Sequence, residues 1–172
     1  GDKSSVPPLL EAAAQPHNKI EHVADRVLEH SITFALIEIG DFQQTAEGLT
    51  SSDTWARRVA MIALDQMEGP GLKPDQVVPL LSSEDHTLKQ TSLWLVTRHS
   101  EWGNAVADHL RLQLAKDGWR TAEQNELRRM MAQFAGTIAV QELMASHIAP
   151  GVDSDREFSV KLMVLNAMGA SG

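Results

Sequence analysis

An apolar doublet that returns at the spacing of a helix pair constrains this chain more than any other feature. Ala35-Leu36, Ala63-Leu64, Leu95-Val96, Met131-Ala132 and Val164-Leu165 follow one another at intervals of 28, 32, 36 and 33 residues. Around each doublet the apolar positions recur with the period of an amphipathic helix. A single helix pair exposes an apolar stripe on each member and cannot bury both alone, so units of this kind stack on their neighbours. The interval suits two helices per unit and fits neither propeller blades nor leucine-rich units. The expected fold class is therefore all-α, an α-α superhelix of the HEAT/armadillo-like solenoid kind with about five stacked helix pairs. The unit is shorter than the roughly 40–47 residues usual for HEAT and armadillo repeats, but the Trp, Leu-Gly, Tyr and Pro register of tetratricopeptide repeats is missing.

Punctuation places the helices. Pro7 and Pro8 are tolerated in the first turn of a helix over 5–14, which Gln15-Pro16 ends. A longer helix over 18–40 carries Ile20, Val23, Ala24, Val27, Leu28, Ala35, Leu36 and Ile39 at helical spacing, with Gly40 as its stop. The second pair is 42–49 and 53–67, the latter with Ala56, Val59, Ala60, Ala63, Leu64 and Met67 on one stripe. Gly69-Pro70-Gly71 then breaks the chain. The third pair is 74–81, opened by Pro74, and 86–99, which packs Leu88, Ser92, Leu95 and Val96. The fourth is 102–116 and 121–136, whose second helix starts with the capping-box pattern Thr121-x-x-Gln124. The last is 138–148 and 155–168, capped by Ser154-x-x-Glu157. No run of strict alternation with β-branched residues stands between turn signals. A length of 172 residues suits one domain, 1–172. The start without Met and the stop soon after an amphipathic segment read as a piece excised from a larger protein.

Charge and residue usage narrow the function. Lys and Arg number 15 against 23 Asp and Glu, a formal net charge of -8 that repels phosphate backbones and anionic membranes. Nucleic acid is not an expected partner. No apolar run approaches the roughly 18 residues of a membrane span, so direct membrane insertion is not expected either. With no cysteine, disulfides, thiolate nucleophiles, Cys-ligated zinc, iron–sulfur clusters and covalent haem are all excluded.

The remaining candidates for chemistry are sparse. Seven histidines include no pair at the i, i+4 spacing of a helical zinc site; His17, His22 and His30 come nearest, and the latter two are eight residues apart. Glu84 with Asp85, Glu21 with Asp25, and Asp153, Asp155 and Glu157 mostly fall at helix starts, where carboxylates cap. Neither Gly-x-Ser-x-Gly nor a phosphate loop occurs. No catalytic residue, metal site or cofactor is expected. Trp55 beside Arg57 and Arg58 has the composition of a base-stacking platform. Packing of the indole rings between helices explains the four tryptophans more simply. Arg57, Arg58, Lys89 and Arg98 lie on the second helices of successive pairs and form the candidate docking surface, although a solvated helix face explains them equally well.

Several stretches resemble one family: residues 25–40 (Asp25-Arg-Val-Leu-Glu-His-Ser-Ile-Thr-Phe-Ala-Leu-Ile-Glu-Ile-Gly40), Ala63-Leu-Asp-Gln-Met67, Gly71-Leu-Lys-Pro74, Val78-Pro-Leu-Leu81 and the segment from Trp94 to Trp102. They are similar to the HEAT-like region of large exported planctomycete and verrucomicrobial proteins. In that family a β-propeller resembling quinone-dependent sugar dehydrogenases precedes the helical repeats and a c-type cytochrome domain follows them. The resemblance covers residues 5–102. It implies a periplasmic or exported setting and a non-catalytic scaffold or spacer whose partners are the neighbouring domains of the parent chain. None of the family's redox residues is present to be carried over. The alternatives are a free-standing adaptor for a protein or peptide and a HEAT-like DNA glycosylase. The glycosylase would need a basic duplex-binding groove, which retention on heparin would reveal.

Overall fold

The computed structural model describes residues 1–14, 22–148 and 155–170, apart from the side chains of 22–25 and 155–157. Among these residues all regular structure is helical: α1 Val6–Ala13, α2 His22–Ile39, α3 Phe42–Glu47, α4 Thr54–Gln66, α5 Pro74–Val77, α6 His86–Arg98, α7 Gly103–Leu114, α8 Thr121–Gln133, α9 Ile138–Ile148 and α10 Asp155–Ala170. Short 3-10 turns continue α3 (Gly48–Thr50) and α5 (Val78–Ser82) and introduce α7 (Ser100–Trp102). The chain packs as two compact units, Gly1–Leu95 and Val96–Gly172.

Within each unit the helices stack as a solenoid does. In the first, α1 packs on α2 and α3 on α4, while α1 also touches α3 and α2 touches α4. In the second, α7 packs on α8 and α9 on α10, while α7 touches α9 and α8 touches α10. First helices thus meet first helices and second helices meet second helices, the contact rule of an α-solenoid.

The sequence periods become core where expected on α4 and α6. Ala56, Val59, Ala60, Ala63, Leu64 and Met67 are all buried, as are Leu88, Ser92, Leu95 and Val96. Each leucine removed from water here contributes roughly 1.5–3 kcal/mol. On α2 the expectation holds fully only at Leu36: Ala35 and Ile39 are half-buried, and Ile20 and the side chains of Val23 and Ala24 lie outside the described residues. Leu36 is buried with Ile32 and Thr33, but Val27 and Leu28 are exposed, because this helix is apolar around most of its girth and its period does not single out one face. The doublets also divide. Val164 is buried whereas Leu165 faces outward.

Local signals set the ends. Gly40 adopts φ 67, the left-handed conformation that ends a helix without a Cβ penalty, and its N–H donates to Leu36 O at 3.0 Å. Asp53 caps α4 by accepting from the N–H groups of Trp55 and Ala56 at 2.8 and 2.9 Å. Asp85 caps α6 through Leu88 N–H at 2.9 Å. The cap of α8 differs from the Thr121-x-x-Gln124 pattern by one residue. Arg120 occupies the N-cap position, and Glu123 accepts its N–H at 2.8 Å while pairing with its guanidinium at 2.9 Å. The Ser154 to Glu157 cap lies outside the described residues. Gly48 brings chains close for another reason: a Cβ there would sit 2.8 Å from Ala60 Cβ and 2.9 Å from Leu10 Cδ2, so only glycine lets this turn wedge between α1 and α4.

Candidate functional site

The second helices of the first unit, α2, α4 and α6, line an open groove of about 790 Å³. One side chain ties its walls together. Arg58 on α4 donates from Nε to Glu29 Oε1 on α2 at 2.6 Å and from Nη1 to Thr91 Oγ1 on α6 at 2.7 Å. The Thr91 hydroxyl donates a hydrogen bond to Thr87 O at 2.8 Å, which leaves its oxygen oriented to accept from Arg58. The ion pair is largely shielded, with side chains 29% and 12% exposed for Arg58 and Glu29. A second strut runs from Thr54 Oγ1 on α4 to Asp85 Oδ2 at the start of α6, at 2.8 Å. The N–H of Leu88, then the Thr54 hydroxyl, Thr87 N–H and the positive charge of Arg57, hold the Asp85 carboxyl below the usual carboxylate range.

The groove lining is amphipathic. Phe34 and Val27 are 58% and 61% exposed, and Ile37, Ile62 and Trp55 extend the apolar surface. The lining carries two arginines, Arg26 and the paired Arg58, against one carboxylate, Glu29, a local positive balance within an acidic chain, and His30 adds a polar ring. Such a surface suits binding through apolar contact and charge. Among the described residues, the hydroxyls of Ser31 and Thr33 in this lining donate to backbone carbonyls, Val27 O and Glu29 O, at 2.8 Å each. Among the described residues no group of three or more His, Asp or Glu is placed to hold a metal ion.

The four cations marked from the sequence have different surroundings. Arg58 is engaged in holding the three helices. Arg57 is half-buried close enough to Asp85 to stabilise its carboxylate, and Lys89 is half-buried on α6. Arg98 is exposed and belongs to the second unit. Lys89 and Arg98 are nine residues apart on one helix, about two and a half turns, which points them to opposite sides of it. Of the three histidines weighed as ligands, His30 lines the groove, His17 lies outside the described residues and so does the His22 side chain. The tryptophans serve packing in part. Trp102 is buried and stacks on His99 with centroids 4.0 Å apart and planes 6° from parallel, and Trp119 donates from Nε1 to Gln113 O at 3.1 Å. Phe34, Ile37, Ile62, Glu29 and Thr91 were not marked from the sequence. Their signal is the recurrence of the second helices themselves, since Arg58 stands 29 residues after Glu29 and 33 before Thr91, about one repeat each way.

No protein-family model, curated protein or solved structure matches this chain.

Proposed function

We propose that the chain is a non-catalytic scaffold, a HEAT-like array of about five helix pairs that docks a protein segment in the groove of its second helices. The carrying observation is the Arg58 tie across α2, α4 and α6, which fixes a groove whose lining leaves Phe34 and Val27 exposed beside Arg26 and His30. A rigid, prepositioned surface lowers the ordering cost of binding. The fitting occupant is an acidic segment with bulky apolar anchors, supplied by a neighbouring domain of a longer parent chain or by a separate protein. Charge there sets orientation and rate of encounter more than affinity. The resemblance of residues 5–102 supports a wider setting, an exported redox protein in which this array separates a propeller from a cytochrome domain. In that setting Arg57, Lys89 and Arg98 face neighbouring domains. The parent gene tests the setting: a propeller before residue 1 and a Cys-x-x-Cys-His motif after residue 172 are expected.

Titration with a synthetic acidic, leucine-bearing helical peptide, read through Trp55 fluorescence against a Trp55→Phe control, tests the docking. Saturable binding that weakens in Phe34→Glu and Arg26→Glu is expected. Equal binding by those variants, or equal binding of a basic peptide of the same apolar pattern, would overturn the assignment.

A further inference from the structure

Helix α10 is apolar on two opposed faces. Val160, Met163, Val164 and Ala167 are buried where it packs with α8 and α9. On the other side Phe158, Leu162 and Leu165 are 69%, 50% and 52% exposed. At about 100° per residue these three and Gly169 fall within a wedge of roughly 60° opposite the buried face. Their spacing of four, three and four residues is that of a heptad seam. An ordinary surface helix carries charge on the side away from its core. Here Lys161, on the flank of the seam, is the one charged residue between Phe158 and Ala170.

We propose that this seam joins two copies of the chain, α10 lying antiparallel on α10 of a second copy about a two-fold axis. The seam is complementary to itself in that direction. Reversing it about the level midway between Met163 and Val164 sets Phe158 against Gly169 of the other copy, Leu162 against Leu165, and the same contacts again by symmetry. Nothing lies within 4 Å of the position a Cβ on Gly169 would take, so the Phe158 ring of the other copy can approach the helix backbone there. Parallel alignment would place ring on ring and glycine on glycine. It would also align the two helix dipoles, which the antiparallel arrangement opposes. The contact continues the packing already present, α8 on one side of α10 and the second copy on the other. Three large side chains about half exposed make a patch of several hundred Å². That falls short of the roughly 1,200 Å² of a stable interface, so the dimer is weak and reversible. It is independent of the groove in the first unit.

The absence of native cysteine makes a register test direct. Leu162→Cys and Leu165→Cys are prepared separately and oxidised mildly at high protein concentration, alone and mixed. A covalent dimer forming in large excess in the mixture is expected. Cross-linking of Leu162→Cys with itself as readily as in the mixture, or no covalent dimer in any sample, would overturn the proposal. Sedimentation velocity supplies a second readout. The wild-type coefficient should rise from low to high micromolar concentration, while Leu165→Glu stays monomeric with an unchanged helical spectrum. A wild-type chain that remains monomeric throughout would leave the seam to another partner and refute the two-fold contact.

Discussion

Arg58 shows how much one side chain can hold. Its planar guanidinium has donors in two directions, and the structure uses them for a carboxylate on one neighbouring helix and a hydroxyl on the other. Lysine, with one point of charge, cannot replace that geometry. Arg58→Ala should destabilise the first unit by about 1–3 kcal/mol, chiefly because Glu29 is left shielded without its partner. Arg58→Met combined with Glu29→Gln should recover part of the loss in urea unfolding, since both charges are then gone. Asp85 makes a separate prediction. A carboxyl held below its usual range contributes stability that is complete above the unfolded pKa and lost as pH falls through the folded one. Asp85→Ala should therefore cost about 1 kcal/mol at neutral pH through loss of the α6 cap. Its difference from wild type should close as pH drops below about 4. A gap that persists at low pH would assign the loss to packing. The capping role of Asp85 was legible in the sequence because it depends on neighbours. The role of Arg58 was not, because both partners lie about one repeat away and the pairing follows only from the three-dimensional register.

At the scale of elements, the helices and breaks among the described residues were readable because prolines, glycines and carboxylates stand where the chain turns, whereas the breaks at Gln15-Pro16 and over 149–154 lie outside them. The faces were readable only on helices with one apolar stripe. On α4 every expected core position is buried. On α2 the run from Ile32 to Ile39 is apolar nearly all round, so its period did not reveal that Phe34 and Val27 would line a groove while Ile32 and Leu36 enter the core. The same ambiguity hid the second face of α10. Leu64 and Leu95 are fully buried on α4 and α6. Leu64→Ala and Leu95→Ala should each cost about 2–5 kcal/mol in denaturant unfolding. Losses under about 0.5 kcal/mol would place these leucines on a surface and break the stacking register.

For the whole molecule, composition excluded more than it assigned. The acidic balance sets the expectation that nucleic acid is not a partner, and the lack of cysteine removes thiolate chemistry from these 172 residues. The division between Leu95 and Val96 was not legible, because it falls inside α6 where no proline, glycine or polar run marks it. Function at this scale rests on whether the groove of α2, α4 and α6 receives a protein segment. The most direct measurement is the amide and side-chain shift map of the isotopically labelled chain as the acidic helical peptide is added. Perturbations should centre on Arg26, His30, Phe34, Trp55 and Ile62 and leave α7 to α10 unchanged. Shifts scattered over both units, or centred away from these residues, would contradict the docking account.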